Sequence, residues 1–283
     1  MTPITLTAPD GQPLAARLYG QPGAARSAVL IGAAMGVPMA YYADFAAWLA
    51  GQGHVVLTFD YRGCGGSRPG GSLAHLSADL IDWARDTDTA LLALATRAPA
   101  RPIYLVGHSL GAQLPGLLAH RERLAGLVCV AAGSGHWHHN PRPLRHWMPA
   151  FWYALMPLVT SLCGYFPGRR LRLVGDLPRG VAWQWRRWCL DPDYHLGAET
   201  PALRTAFADL RMPVTALSIA DDEMMSEQGT RALLGWYSGA PRRHERVQPA
   251  PGERIGHLGF FRRRFEATHW PRITRALAEF DPV

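Results

Sequence analysis

The chain has no lysine, because all 29 residues in its lysine-plus-arginine count are arginines. This absence excludes a Schiff-base lysine, a Ser-Lys catalytic dyad and the lysine of a Walker-type phosphate loop. A nucleophilic serine in this chain would therefore need another base, and histidine is the side chain best suited to that role. Asparagine is almost absent too, with Asn140 its single occurrence.

The formal net charge of +7 raises the question of a nucleic-acid partner. The arginines, however, are scattered along the chain and form no single basic stripe with interleaved aromatic residues. The scarcity of lysine and asparagine beside abundant Ala, Gly, Pro and Arg also resembles the effect of a codon bias, which would account for part of the charge. We therefore predict a small-molecule substrate and no nucleic-acid partner.

Cysteine is scarce, and its four occurrences contain no C-x-x-C pair. This spacing argues against a zinc site or a redox dithiol. The N-terminal segment MTPITLTAPDG has neither a basic start nor an apolar core, so we expect no signal peptide. Reduced thiols and a cytoplasmic location are the resulting expectations.

One segment, from Trp147 to Gly168, lacks charged residues over a length sufficient to cross a bilayer. Pro149, Pro157 and Pro167 interrupt this segment. Because prolines break a spanning helix, we interpret it as a buried or interfacial helical hairpin. We predict no stable membrane insertion.

Apolar strand patterns and amphipathic helix patterns alternate along most of the chain. The stretch ITLTAPDGQPLAARLY alternates around a Pro-Asp-Gly turn and predicts an antiparallel hairpin. Continuous apolar runs such as SAVLIG, HVVLTF and LAGLVCVAA predict strands that are buried on both faces. The stretches LSADLIDWARDTDTALLALATRA and LGAQLPGLLAHRE predict helices. Together they predict an α/β fold with a mostly parallel, doubly wound sheet.

This alternation stops near Gly133. The next 70 residues or so are rich in Trp, Pro and Arg and show no clear strand, and the strand pattern resumes at MPVTALSIADDE. We therefore predict a core domain made of residues 1–133 and 204–283. Residues 134–203 are predicted to form an inserted helical lid.

The strongest local motif is LVGHSLGAQ, in which Gly107, Ser109 and Gly111 form G-x-S-x-G between a predicted strand and a predicted helix. A sharp strand-to-helix turn holds such a serine in a strained conformation with its hydroxyl exposed, and the glycines make room for the turn. The N–H of Leu110 at the helix start is then available to an oxyanion. Ser109 is the predicted nucleophile.

An acid and a base are expected after the insertion, in that order. The strand MPVTALSIADDE ends in two candidate acids, Asp221 and Asp222. His257 is the predicted base, because it alone among the histidines follows the last predicted strand and precedes the final helix. In the same segment, IGHLGFFRRRF, Phe260 and Phe261 are predicted to anchor the loop, and the three arginines to open the final helix on a solvated face.

The second oxyanion donor is expected from the loop after the third strand, GAAMGVP, where small residues let the backbone approach the substrate. Ala34 and Met35 are the two candidates. The glycine loop DYRGCGGS has neither the ending of a phosphate loop nor dinucleotide-binding spacing. Its Asp60 and Arg62 are predicted to brace one wall of the pocket.

Three segments, GHSLGAQ, VLTFDYRGCGGS and IGHLGFFRRRF, together resemble the α/β-hydrolase superfamily, and more narrowly a poorly characterised bacterial group of predicted α/β hydrolases. The resemblance covers nearly the whole chain and implies a Ser-Asp-His triad, an oxyanion hole and a lid. In such enzymes the acid lies about nine residues after the proline that opens this strand, which favours Asp222 over Asp221. Met35 departs from the threonine that the group tends to have in its oxyanion loop.

The substrate pocket is expected to include His108, Trp137, Trp183 and Trp185. Tryptophans in a lid are suited to contact an apolar acyl or alkyl group. The stretch GHWHHNPRPLRHW holds four histidines, but no nearby carboxylate or cysteine completes a zinc set. We predict neither a metal nor another cofactor.

These features predict a serine hydrolase that cleaves an ester or thioester of a small, apolar substrate through an acyl-enzyme. An acyltransferase that uses the same acyl-enzyme is the first alternative, and the shape of the lid would distinguish the two. A non-catalytic binding module on the same scaffold is the second alternative. It would require a broken triad, and the sequence shows no break.

Overall fold

The computed structural model describes residues 1–280 and is built around one eight-stranded sheet. The strands in chain order are β1 (Thr2–Thr7), β2 (Pro13–Tyr19), β3 (Ser27–Gly32), β4 (His54–Phe59), β5 (Ile103–His108), β6 (Leu124–Val130), β7 (Tyr165–Phe166), β8 (Leu177–Pro178), β9 (Val214–Ile219) and β10 (Arg242–Val247). The order in the large sheet is β1-β2-β4-β3-β5-β6-β9-β10. The first three strands in that order pair antiparallel, which confirms the predicted hairpin, and all other neighbours are parallel.

Helices flank this sheet and fill the segment between β6 and β9. They are α1 (Ala43–Gly51), α2 (Leu80–Arg97), α3 (Arg142–Ala150), α4 (Met156–Cys163), α5 (Arg179–Leu190), α6 (His195–Ala198), α7 (Pro201–Ala208), α8 (Glu227–Trp236), α9 (Gly256–Gly259) and α10 (Pro271–Phe280). Every residue of β3, β4, β5 and β9 is buried. Because successive strand side chains point to opposite faces, the centre of the sheet is covered on both sides, as the sequence predicted.

Helix α2 shows why its segment is helical. Asp79 caps it by accepting hydrogen bonds from the N–H groups of Ile81 and Asp82, and the Asp82 side chain accepts the N–H of Asp79 in return. This reciprocal box satisfies donors that the first turn leaves free. Side chains three or four residues apart form its inner face and are all buried, namely Leu80, Trp83, Thr87, Leu91 and Leu94.

The predicted helix after Ser109 is wrong. The segment instead forms two short 3-10 helices, Ser109–Ala112 and Pro115–Leu117. Pro115 has no N–H with which to continue an α-helical ladder. Gly116 also packs so closely on Phe207 that a Cβ at this position would lie 2.2 Å from the ring. Tertiary packing and one proline therefore override the local helical pattern.

The segment between β6 and β9 contains a nearly continuous helical run rather than the predicted hairpin. Helix α3, a π-helical turn at Phe151–Leu155 and α4 follow one another, and the run ends at Gly164 in the left-handed conformation. Pro149 lies inside α3 and Pro157 in the first turn of α4. The π-helical turn between them shifts the hydrogen-bonding register, so both prolines are accommodated within one run.

The inserted segment also contains a pair of strands that the sequence did not predict. Strands β7 and β8, two residues each, form an antiparallel pair where no strand was expected. Helix α7 runs across residues 203 and 204, where the sequence placed the end of the lid. In the described part of the chain, no helix is long and apolar enough to cross a membrane.

The glycine loop after β4 is held by two buried charged side chains. Asp60 accepts hydrogen bonds from the N–H groups of Met39 (2.6 Å) and Gly66 (2.8 Å). Arg62 forms ion pairs with Asp86 and Asp10. Asp60 and Arg62 therefore brace this loop, but none of residues 60–67 lines the cavity beside Ser109, so the prediction that the loop forms a wall of the pocket is wrong.

Candidate active site

Ser109 occupies the tight turn that follows β5. Its φ angle is +50°, a value that residues other than glycine rarely adopt. The two flanking glycines of the motif permit this turn, since a Cβ at Gly107 would lie 2.5 Å from Ala112 N and one at Gly111 would lie 2.2 Å from Gly32 O. The strained backbone of Ser109 is therefore held in place by the close backbone packing at these two glycines.

His257 and Asp222 meet beside this turn. Nδ1 of His257 lies 2.9 Å from Oδ2 and 3.2 Å from Oδ1 of Asp222, and both side chains are buried. Oδ1 of Asp222 also accepts the N–H groups of Met224 (2.7 Å) and Met225 (2.8 Å). These bonds fix the carboxylate, so that Oδ2 is left to face the imidazole.

The carboxylates on either side of Asp222 hold the backbone of the histidine loop, which we define as residues 255–259. Asp221 accepts the N–H groups of Ile255 (2.9 Å) and Gly256 (3.0 Å). Glu223 accepts the N–H of His257 at 3.1 Å. Three consecutive acids after β9 thus bind one loop, and only the middle one contacts the imidazole.

Residues 33–37, which we call the oxyanion loop after their predicted role, follow Gly32, and Gly32 packs closely on Gly111 of the serine turn. The N–H of Ala34 donates to the hydroxyl of Tyr42 at 2.9 Å. Of the two candidate oxyanion donors, the N–H of Ala34 is therefore already hydrogen-bonded within the protein. The N–H of Met35 is then the better candidate. Leu110 is the second residue of the 3-10 helix that starts at Ser109, and the first N–H groups of a helix have no partner within it.

His108 joins the oxyanion loop to the histidine loop. Its Nδ1 lies 2.8 Å from the hydroxyl of Tyr42, and its Nε2 lies 3.0 Å from the carbonyl oxygen of His257. A carbonyl only accepts, so Nε2 carries the proton and Nδ1 accepts the proton of Tyr42. Burial, reinforced by the nearby His257, holds the pKa of His108 well below its ordinary value and keeps this ring neutral.

A cavity of about 580 Å³ opens beside these groups and is lined by both Ser109 and His257. Its walls come from the oxyanion loop, the segment after β9 and the inserted helices, and they are mainly apolar. Side chains of the inserted segment that line it include Leu144, Trp147, Met148, Phe151, Trp152, Leu173, Val174 and Trp185. The site therefore combines two polar side chains, Ser109 and His257, with a large apolar cavity.

Of the predicted pocket residues, only Trp185 lines the cavity. His108 is wrong as a pocket residue, because it is fully buried behind the histidine loop. Trp137 packs instead on His138, and Trp183 lies under the guanidinium of Arg186. Trp147 and Trp152 line the cavity although the sequence did not predict them as pocket residues. The sequence does not show which way each helical side chain points.

The imidazole rings in the histidine-rich stretch pack against one another. His136 lies 5.1 Å from His138 and 5.4 Å from His139 between ring centroids. Burial lowers the pKa of both His136 and His139. Within residues 1–280, no group of three or more His, Cys, Asp or Glu side chains is arranged to hold a metal ion.

The second half of the segment IGHLGFFRRRF agrees with the prediction in part. Phe260 and Phe261 are buried, which confirms that they anchor the histidine loop. Arg262, Arg263 and Arg264 are exposed, but they lie in a turn and a short 3-10 helix before α10, so the prediction that they open the final helix is wrong.

A family profile described as serine aminopeptidase, S33, matches residues 23–169, which is more than half of the 283-residue chain. The chain belongs to this family of α/β hydrolases. The predicted superfamily and fold class are confirmed by this match. A comparison with curated protein sequences gives no match.

Solved structures share this fold along almost their whole length. A soluble variant of monoglyceride lipase from Saccharomyces cerevisiae superposes with a TM-score of 0.72 at 16% identity, covering 100% of this chain and 96% of the lipase. A carboxyl esterase from Bacillus coagulans gives 0.66 at 13% identity, with 99% and 98% covered. A monoacylglycerol lipase from Paleococcus ferrophilus gives 0.64 at 15% identity, with 95% and 99% covered. At such low identity the likeness shows the fold alone.

Proposed function

We propose that this α/β hydrolase is a serine hydrolase that cleaves an ester or thioester bond of a small, apolar substrate. The observation that carries the proposal is the shared cavity of Ser109 and His257, together with the 2.9 Å contact between His257 Nδ1 and Asp222 Oδ2. In this proposal Ser109 is the nucleophile, His257 the base and Asp222 the acid of a triad.

The reaction follows from these roles. Oγ of Ser109 bonds to the carbonyl carbon of the substrate while its proton passes to Nε2 of His257, and Asp222 stabilises the imidazolium. The N–H groups of Leu110 and Met35 stabilise the oxyanion. The leaving oxygen or sulfur departs with the proton of His257, and an acyl-enzyme remains. Water then attacks the acyl carbon, His257 takes and returns one proton, and the free acid leaves Ser109.

The cavity supports an apolar acyl group. A volume of about 580 Å³ lies within the range of sites for small molecules, and tryptophans contribute large apolar walls. We assign residues 134–203 the role of a lid, since most of the apolar wall comes from them. The lipase and esterase names of the structural neighbours favour ester cleavage over the peptidase activity in the family description.

Covalent labelling tests the nucleophile. We expect the wild-type protein to react with a fluorophosphonate probe and Ser109→Ala to lose the label completely, because the probe traps an activated serine hydroxyl. Gel fluorescence after a fixed incubation measures the label, and circular dichroism verifies that the variant is folded. An unlabelled wild-type protein would contradict the proposed nucleophile.

A panel of esters tests the substrate class. We expect kcat/KM to rise with acyl length by about threefold to fourfold per methylene until the cavity is filled. Trp185→Ala should weaken this dependence, whereas Trp183→Ala, a matched loss on the same helix but outside the cavity wall, should not. Faster turnover of aminoacyl anilides, or of very short or charged acyl groups, would count against an apolar ester substrate.

A further inference from the structure

The large exposed apolar side chains of this protein are concentrated beside the cavity. Eight such side chains are exposed in residues 1–280, and all but Met1 belong to this region. Five lie on the helical run from α3 to α4, one lies in the loop before β8, and one lies in α9. We call these seven the apolar face: Trp147, Tyr153, Leu155, Leu158, Leu162, Leu173 and Leu258.

The apolar face inverts the usual pattern of a surface helix. Leu155, Leu158 and Leu162 follow a spacing of three and four residues, so they share one side of the helix, yet Leu158 and Leu162 are 59% and 77% exposed. Polar side chains would occupy this side if it faced only water. Contiguous exposed apolar surface of this kind marks a site of association.

The apolar face is continuous with the cavity wall. Trp147, Leu173 and Leu258 are exposed and also line the cavity that holds Ser109. A substrate that lies against the apolar face can therefore enter the cavity along apolar side chains. Because the apolar face adjoins the cavity, whatever binds to this face lies next to the entrance for the substrate.

The same segment carries net positive charge. Residues 134–177 contain five arginines and one acid, Asp176, a net charge of +4. Asp176 is neutralised by an ion pair of 2.9 Å with Arg68. Arg172 is exposed next to Leu173, and both line the cavity. The partner of this face must therefore be apolar and carry negative charge.

We propose that the apolar face docks on the surface of an anionic lipid bilayer. Leucines would enter the outer acyl region, Trp147 and Tyr153 would lie at the level of the headgroups, and the arginines would bind lipid phosphates. A second copy of the chain fits less well, because pairing the face with itself would bring two clusters of positive charge together. The proposal goes beyond hydrolysis, because docking requires no catalytic step.

Vesicle co-sedimentation with the Ser109→Ala protein tests docking. We expect binding to vesicles of phosphatidylcholine with phosphatidylglycerol and weaker binding to phosphatidylcholine alone. Adding Leu158→Gln and Leu162→Gln should lower the partition coefficient by about tenfold or more, since both leucines would leave the acyl region. These side chains are exposed, so the melting temperature should stay unchanged.

Matched arginine variants separate local charge from total charge. Arg169→Gln with Arg170→Gln should weaken binding to anionic vesicles by about fivefold per arginine. Arg101→Gln with Arg123→Gln removes the same charge just before the amino-terminal ends of β5 and β6, whereas Ser109 follows the carboxyl end of β5, and should leave binding nearly unchanged. Equal effects of the two pairs would overturn the proposal.

Three other outcomes would also overturn it: no binding to either vesicle, binding that survives loss of both leucines, or a dimer that the leucine variants dissociate without any vesicle binding. Light scattering on a sizing column detects the dimer. Because the vesicle experiment uses the Ser109→Ala protein, loss of the proposed hydrolase activity would leave a positive docking result standing, and the reverse holds as well.

Discussion

We expect Asp222→Asn to lower kcat by about four orders of magnitude while the protein remains folded. An asparagine oxygen in place of Oδ1 can still accept the N–H groups of Met224 and Met225. The amide nitrogen would then replace Oδ2, which lies 2.9 Å from Nδ1 of His257. A donor at that place requires Nδ1 to accept, so the ring proton moves to Nε2. That nitrogen could then no longer accept the proton of Ser109 in the proposed reaction.

Asp221→Asn is the matched control for this variant. Asp221 accepts two backbone N–H groups of the histidine loop and does not contact the imidazole. An amide oxygen can keep part of this contact, so we expect kcat to fall by less than about tenfold. Kinetics with the best ester of the panel, together with thermal melting, measure both variants. A severe loss at position 221 with a mild one at 222 would reverse the assignment of the acid.

The sequence predicted the parts of the site that depend on chain order and short motifs. Ser109 was predicted from glycine spacing between a predicted strand and a predicted helix, and His257 from its place after the last predicted strand. The choice of Asp222 over Asp221 rested on a spacing typical of the family. In the structure the carboxylate of Asp221 accepts backbone N–H groups of the histidine loop, whereas the carboxylate of Asp222 contacts the imidazole. Local patterns are informative for these residues because the carboxyl ends of parallel strands lie at the same end of the sheet.

The sequence did not predict features that depend on long-range packing. The pattern after Ser109 resembles a helix, but Pro115 and the close packing of Gly116 on Phe207 prevent one. Trp183 and Trp185 are two residues apart on α5, and only the second reaches the cavity. Which side of a helix faces a pocket depends on what the helix packs against, and no local period contains that information.

The second large effect is expected at Tyr42, which lies outside the proposed triad. Its hydroxyl accepts the N–H of Ala34 and donates to Nδ1 of His108, whose Nε2 donates to the carbonyl oxygen of His257. Tyr42 and His108 are completely buried, so water cannot replace these bonds. This chain of three hydrogen bonds joins the oxyanion loop to the histidine loop, and we infer that it keeps the two at a fixed separation.

Tyr42→Phe removes the central hydroxyl while keeping the ring in place. The unpaired Nδ1 of His108 should cost about 1 to 3 kcal/mol of folding free energy. We also expect kcat to fall by about tenfold to a hundredfold with a smaller change in KM, because displacement of either loop misaligns reacting groups after the substrate is bound. Chemical denaturation measures the first effect, and ester kinetics the second.

Tyr61→Phe provides the matched comparison. Tyr61 is another buried tyrosine next to the oxyanion loop, and its hydroxyl donates a long hydrogen bond of 3.4 Å to the carbonyl oxygen of Ala33. It has no connection through hydrogen bonds to His108 or to the histidine loop, so its loss should leave kcat within about threefold of the wild type. If both variants lower kcat equally, loosening of the core would explain the loss and the link between the two loops would have no role in it. A fall in kcat for Tyr42→Phe alone ties catalysis to the hydrogen bonds between the two loops.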